Sequence, residues 1–270
     1  MKNVLTIAGS DTCGGAGIQA DIKTFSAHGV YGMSVITAVT AQNTMGVFAV
    51  QDIDKEIIRK QISCIYEDIE VAAVKIGMVS KIETIEVIAE ELIKYEAKNI
   101  VLDPVMISKS GYDLLKPESK DSLIKKLLPI ATIVTPNLPE AEVILDRKIS
   151  TIDEMVQAAK DINKLGPKKV LIKGGHLEND ATDVLYDSEN EGKIYFINGN
   201  RINTKNTHGT GCTLSSSIAS NLALGYTVEQ SVKKAKDYIT MAIEHSFSIG
   251  HGVGPTNHFY ELYKSKGIER

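Results

Sequence analysis

Short runs of β-branched and aliphatic residues recur along this chain, at residues 4–8, 34–39, 72–76, 100–102, 133–135 and 170–173. Each is too short for a helix and nearly continuously apolar, the pattern of a strand whose sheet is covered on both faces. Between them the apolar residues change period. Ile58, Ile62, Ile65 and Ile69 fall at helical spacing, as do Ile85, Ile88 and Leu92, then Ile152, Met155, Ala159 and Ile162, then Val228, Val232, Ala235, Ile239 and Ala242. Strands that alternate with amphipathic helices are joined by right-handed crossovers, which predicts an α/β fold with a mainly parallel central sheet between two helical layers. No Gly/Ser- or Pro-rich linker interrupts the chain and no repeat at a solenoid period is visible, so residues 1–270 are expected to form a single domain.

Composition narrows the partners. The chain is 43% apolar and 24% charged, as in ordinary globular proteins, and 30 basic against 34 acidic side chains leave a net charge of -4 with no long run of one sign. That disfavours nucleic acid or an anionic membrane as the main partner. Cys13, Cys64 and Cys212 are odd in number and widely spaced, which argues against a disulfide framework or a thiolate zinc site and points to a reducing cytoplasm. The first apolar run meets Gly9-Ser10-Asp11 too soon for a signal sequence, and no segment reaches the ~18 apolar residues of a membrane span.

In open α/β sheets ligands sit beyond the carboxyl ends of the strands, and there the unusual sequences lie. After the first strand, Gly9-Ser10-Asp11-Thr12-Cys13-Gly14-Gly15-Ala16-Gly17 leads into a helix expected from Ile18 to about Ala27. Its glycines let backbone approach a ligand and expose N–H groups. Gly15-x-Gly17-x-x-Ala20 fits the loose dinucleotide pattern, but that reading needs an acid after the second strand, where Thr40-Ala41-Gln42-Asn43-Thr44 stands instead. A tight strand-to-helix turn is the plainer alternative. Further on, Asn206-Thr207-His208-Gly209-Thr210-Gly211-Cys212-Thr213 precedes small and apolar residues suited to a packed helix. Free N–H groups and the positive dipole end make such a helix start an anion hole, although a simple helix cap would also account for Gly209 and Gly211. No Gly-x-x-x-x-Gly-Lys-Ser/Thr occurs, so any phosphate chemistry uses another architecture than the P-loop.

These segments, with Lys75-Ile76-Gly77-Met78, Leu102-Asp103-Pro104-Val105-Met106, Thr135-Pro136-Asn137-Leu138-Pro139-Glu140 and Lys173-Gly174-Gly175-His176, stand in the order and spacing of one family. The chain resembles the hydroxymethylpyrimidine/phosphomethylpyrimidine kinases, thiamine-pathway members of the ribokinase-like superfamily, from about Val4 to the closing Gly254-Pro255-Thr256-Asn257-His258-Phe259.

The resemblance implies a ribokinase-like three-layer sandwich, ATP and magnesium as cofactors, and a small pyrimidine as substrate. It places Gly9, Ala16, Asp21, Gln42, Met78 and Val105 at the substrate. A primary amide at Gln42 offers both a donor and an acceptor, which suits an aminopyrimidine, although at a strand end it could instead cap a loop. Asp103, Asn137 and Glu140 fall to the metal. Magnesium keeps much of its water and needs few carboxylates, whereas each acid taken singly could be only a solvated or helix-terminal charge. Lys173, Thr207 and Lys236 fall to the nucleotide. Gly209, Thr210 and Gly211 would stabilise the transferring group. Cys212 stands where most sugar kinases of the superfamily carry an aspartate base. A thiol of pKa ~8.5 would need the helix N-terminus and nearby cations to lower it; its alternative role is packing.

The competing readings are a pyridoxal kinase of the same branch, a nicotinamide oxidoreductase and a non-catalytic sensor. Dimers are frequent among such kinases, so a homodimer is expected. No role is assigned to His176 or His208, and His28, His245, His251 and His258 show no metal spacing. Residues 109–112 and 250–254 are candidate lids.

Overall fold

The structure, a computed structural model, describes residues 1–106, 114–175 and 181–268. The candidate lid at 109–112 and His176 lie outside the described residues. In chain order the first half comprises β1 (Asn3–Ser10), α1 (Gly17–Ala27), β2 (Tyr31–Asn43), β3 (Gly46–Asp52), α2 (Lys55–Tyr66), β4 (Ala73–Ile76), α3 (Ile82–Lys94) and β5 (Ile100–Leu102). Tight helical turns over 117–130 contain α4 (Lys120–Ser122), and then come β6 (Ile133–Val134), α5 (Leu138–Leu145), α6 (Ile152–Asn163), β7 (Lys169–Ile172), β8 (Asp183–Asp187) and β9 (Lys193–Ile197). The chain closes with α7 (Thr210–Ala223), α8 (Val228–Glu244) and α9 (Tyr260–Ser265).

The strands form one sheet in the order β3-β2-β1-β4-β5-β6-β7-β8-β9. From β2 to β7 every pairing is parallel, while β3 on one edge and β8 and β9 on the other run antiparallel. The six expected strands are the parallel core. The antiparallel edges escape the apolar-run pattern for a physical reason: β3 has one face open, with Phe48 68% exposed, and β8 is bounded by Asp183 and Asp187. β2 is longer than its apolar run and carries Gln42 on a twisted hairpin end opposite Val47.

Strand side chains alternate between two cores, as period-2 geometry requires. Leu5, Ile7, Val74, Ile76, Ile100, Leu102, Val170 and Ile172 face the layer of α2, α3, α5 and α6. Val4, Ala73, Val101, Ile133 and Leu171 face α1, α7 and α8. Each fully buried aliphatic side chain, such as Ile62 or Ile218, contributes roughly 1.5–3 kcal/mol of transfer free energy.

Buried polar residues interrupt this alternation, Lys75 foremost. Lys75, two residues after Ala73, is fully buried, and its Nζ donates to Asp21 Oδ2 at 2.9 Å. The same carboxylate accepts from Thr6 Oγ1 at 2.6 Å and from Ser216 Oγ at 2.7 Å. Burial opposes the lysine's charge, but the neighbouring carboxylates, Asp21 foremost, outweigh it and hold the ammonium above its usual pKa. Asp21 was expected at the substrate; the structure instead spends its oxygens inside the protein, pinning β1 and β4 to α1 and α7.

A buried ion pair is costly to break because the surviving partner is left uncompensated. Lys75→Met is therefore expected to destabilise the fold by about 3–5 kcal/mol in urea unfolding, and the double change Lys75→Met/Asp21→Leu to recover most of that loss. Purely additive losses would show that the pair does not act as a unit.

Candidate active site

The parallel strands deliver three charged groups to one place. β5 ends directly at Asp103, the turn after β6 supplies Asn137 and Glu140 at the start of α5, and β7 runs into Lys173. Lys173 Nζ donates to Asp103 Oδ1 at 3.0 Å and lies 4.0 Å from Glu140 Oε2. Asp103, 1% exposed, also accepts from Thr135 Oγ1 at 3.3 Å and from Ser215 Oγ at 3.4 Å.

The Asn137-x-x-Glu140 signature is a helix capping box. Asn137 Oδ1 accepts from the Glu140 N–H at 2.9 Å, and Glu140 Oε2 accepts from the Asn137 N–H at 2.8 Å. The box aims the glutamate and occupies one acceptor of Asn137, so the asparagine positions rather than leads a metal ligand set. Burial, with the nearby Asp103 charge, pushes Glu140 up to about 7 against the pull of Lys173 and of the Asn137 and Met106 N–H groups. Two buried carboxylates thus share a single ammonium. That donor set has an uncompensated negative charge and oxygen ligands, and it fits a hard divalent cation such as magnesium.

The mouth of α7 faces this cluster. A side chain at Gly211 would come within 3.3 Å of Asp103 Oδ2 and 3.5 Å of Lys173 Nζ. Gly209 caps the helix in the left-handed region, φ 77°, and a Cβ there would sit 1.8 Å from the Gly15 carbonyl oxygen, so only glycine fits. Thr210 Oγ1 donates to the Thr207 carbonyl at 2.8 Å, which tightens the first turn.

Cys212, partly buried in that turn, behaves otherwise than expected. Burial pushes its thiol up to about 11; the Lys75 ammonium lowers it, but Asp21 and Asp103 add to the rise. The helix start and the buried cation do not yield a thiolate at neutral pH in the unliganded chain.

The first glycine-rich turn closes the other side. Its N–H groups were expected to stay open to a ligand, yet Asp11 collects them. The Cys13 N–H donates to Oδ1 at 2.9 Å, and the Gly15 and Ala16 N–H groups to Oδ2 at 3.0 and 2.8 Å. His208 Nε2 lies 2.9 Å from the same Oδ2, and its ring fills the space where a Gly15 side chain would be, 2.3 Å from Cδ2. Burial would raise Asp11, but the bonds from His208, Ala16 and Cys13 outweigh it and hold the carboxyl below its usual value.

Gln42 reaches the same ring: its Nε2 is 3.3 Å from His208 Nε2. Met78 Sδ lies where a Gly9 side chain would be, at 3.0 Å, and Val105, half-buried, follows Asp103. Gly9, Ala16, Gln42 and the α7 mouth are thereby drawn to one side of the sheet's carboxyl end. Sequence reasoning passed over Asp11 and His208, whose partners lie 197 residues apart. Their only local signal was membership of the two glycine segments.

The expected nucleotide residues divide. Lys173 stands in the acidic cluster. Lys236 does not offer a free charge: its Nζ donates to Asp183 Oδ2 at 2.7 Å and to the Ala181 carbonyl at 3.0 Å, while Asp183 in turn accepts from the Gly174 N–H at 2.8 Å. It braces the loop after β7. Thr207 lies at the α7 mouth, half-buried. The candidate lid at 250–254 is a strap: the Gly252 and Val253 N–H groups donate to Thr44, and the Gly254 carbonyl accepts from the His208 N–H.

A family model described as phosphomethylpyrimidine kinase matches residues 11–257. The chain belongs to that family. A hydroxymethylpyrimidine/phosphomethylpyrimidine kinase of Rhizobium meliloti is 49% identical over 264 residues, spanning 96% of this chain and 98% of its own. A crystal structure of phosphomethylpyrimidine kinase from Clostridium difficile 630 superposes with TM-score 0.80 at 57% identity, covering 90% of this chain and 100% of that one. An ADP complex of Bacillus subtilis pyridoxal kinase reaches TM-score 0.88 at 41% identity over 97% of this chain and 99% of its own. The fold is ribokinase-like and the protein is a kinase, which removes the nicotinamide oxidoreductase and the non-catalytic sensor.

The contrast between the cysteines is measurable. Cys64 is exposed on α2, whereas Cys212 is half-buried with a raised pKa. Because only the thiolate alkylates, iodoacetamide at pH 7.5 should modify Cys64 at least 10-fold faster than Cys212 in the unliganded protein, read by peptide mass spectrometry. Equal rates would contradict the burial described here.

Proposed function

We propose that this kinase transfers the γ-phosphoryl of ATP to the hydroxymethyl oxygen of 4-amino-5-hydroxymethyl-2-methylpyrimidine, and then phosphorylates the monophosphate to the diphosphate, in thiamine biosynthesis. The observation that carries this reading is the Gln42 amide beside His208, the residue before the α7 mouth: a donor-acceptor pair for a flat aminopyrimidine next to a cluster of N–H groups for a phosphoryl group. Met78 and Val105 provide apolar contact for the ring.

Asp103 and Glu140 would hold magnesium, largely through water, and the bound ion supplies charge neutralisation of the nucleotide phosphates. Lys173 orients both carboxylates and adds a positive charge on the phosphate side. The Gly209, Gly211 and Cys212 N–H groups meet the equatorial oxygens of the transferring group as the bond to the leaving phosphate breaks and the hydroxymethyl oxygen bonds to phosphorus, while the Thr210 N–H is given to the Thr207 carbonyl. With its pKa near 11, Cys212 carries its own proton at neutral pH, so it can take the hydroxyl proton only from the small thiolate fraction, which grows as pH rises.

Pyridoxal phosphorylation is the second reading, supported by the likeness to the Bacillus subtilis enzyme; the Gln42 amide favours the pyrimidine. We further take residues 1–270 as one kinase domain that works as a cytoplasmic homodimer. Supporting this are three free cysteines and exposed Met45 and Phe48 at the β3 edge, and among the described residues no helix is long and apolar enough to cross a membrane.

Gln42→Leu is expected to raise the KM for hydroxymethylpyrimidine about 10-fold or more with the KM for ATP nearly unchanged, in steady-state assays run beside pyridoxal. An unaltered pyrimidine KM removes the assignment. Cys212→Ala should lower kcat by ~10²-fold and flatten the rise of kcat/KM between pH 7 and 9; a wild-type profile in the variant reduces Cys212 to packing.

Glu140 sets the pH dependence of metal use. Its pKa is raised to about 7, so the proton competes with the ion below that pH and leaves above it. The magnesium concentration for half-maximal activity should therefore fall as pH rises from 6 to 8. Glu140→Gln should remove most of that dependence; retention of the full pH effect would place the titrating group elsewhere.

A further inference from the structure

His208, which the reaction described above does not use, is held in a way that determines the state of its neighbour. Its Nε2 lies 2.9 Å from Asp11 Oδ2, and that carboxylate is kept ionised by the bonds it accepts. A carboxylate can only accept, so Nε2 carries the proton whichever form the ring takes. Gln42 Nε2, 3.3 Å away on the other side, would then set a donor against a donor.

The other end of the amide meets the mirror-image conflict. Thr40 Oγ1 has one hydrogen, which goes to the Ser10 carbonyl at 2.9 Å, so toward Gln42, 3.4 Å away, it can only accept, and yet it faces Oε1. Turning the amide over resolves both contacts at once. Oε1 then shares the His208 N–H, and the NH2 group donates to the Thr40 hydroxyl. The two amide ends are nearly identical in shape, and the hydrogen-bond network decides between them.

We propose that His208, itself fixed by Asp11, is the positioning residue that sets the Gln42 amide with its carbonyl toward the imidazole and its NH2 toward Thr40. The pocket then offers a substrate one fixed acceptor and one fixed donor, so that a heterocycle with the matching donor-acceptor edge is selected before any contact of its own. The supports are built for the purpose. Gly15 is bare so that the ring can approach, the His208 N–H is tied to the Gly254 carbonyl, and the strap from Gly252 to Gly254 holds Thr44, two residues beyond Gln42.

The proposal rests on Gln42 as the pyrimidine-reading residue, and two measurements separate them. The Gln42 side-chain amide, assigned in 15N–1H spectra by its loss in Gln42→Leu, should show two protons held apart in shift by their unequal bonds. In His208→Leu they should converge, and in His208→Gln, which restores an N–H near the Nε2 position, they should separate again. Unchanged amide signals in His208→Leu overturn the proposal.

In kinetics, His208→Leu should raise the KM for hydroxymethylpyrimidine about 5- to 10-fold with a smaller change in kcat, His208→Gln should recover most of it, and His208→Leu should add nothing in a Gln42→Leu background. Multiplying effects in the double variant also overturn it. If the amide responds to His208 while Gln42→Leu leaves the pyrimidine KM unaltered, the positioning stands and the pyrimidine reading falls.

Discussion

A single buried carboxylate joins the two ends of this chain. Asp11 gathers the N–H groups of Cys13, Gly15 and Ala16 and meets the imidazole of His208, so the turn after the first strand and the start of α7 become one unit. Hydrogen bonds to a charged acceptor are worth about 1.5–3 kcal/mol each, roughly twice a neutral pair. The close approach they enforce leaves no room for a side chain at Gly15 or Gly209. Gln42 reaches the α7 mouth only because that junction brings His208 under the end of β2. Loss of the junction would part Gln42 from the α7 mouth.

Charge balance then separates two sites built from the same residue types. At Asp21 and Lys75 one carboxylate meets one ammonium, with Thr6 and Ser216 satisfying the remaining lone pairs. That cluster is closed and structural. At Asp103 and Glu140 two carboxylates meet the single ammonium of Lys173, and one of them rises to about pH 7. That cluster is left electrically incomplete, and it lies beside Gly211 at the α7 mouth. The capping box at Asn137 allows this, because it holds Glu140 inward where a free glutamate would turn to water.

Much of the architecture was legible in local pattern. The six apolar runs are the parallel core, since a strand covered on both faces must be apolar on both, and the amphipathic helices appear where their spacing predicts them, save that α2 ends at Tyr66, short of Ile69. β3, β8 and β9 were not legible: β3 and β9 are edge strands whose partly solvated faces give a mixed pattern that resembles a loop, and the buried inner strand β8 is a short run bounded by Asp183 and Asp187. In the candidate site, Gly209 to Cys212, Asp103, Glu140 and Lys173 were singled out because each stands at a strand end or a helix start, a position visible in one dimension, and the structure brings them together. Asp21 and Lys236 show the converse: a charged residue in a motif looks available until its partner is seen, and Lys75 and Asp183 hold these two.

The amino-acid sequence alone determined the layered α/β class, the family and the positions where backbone N–H groups and acids emerge from the sheet, because each follows from local periodicity and from short motifs in order. Tertiary structure alone decided which charges are neutralised, which way an amide faces and whether a thiol can ionise. Those properties depend on burial and on partners up to 197 residues away, and electrostatic energies in a low-dielectric interior are set by such distances rather than by order along the chain.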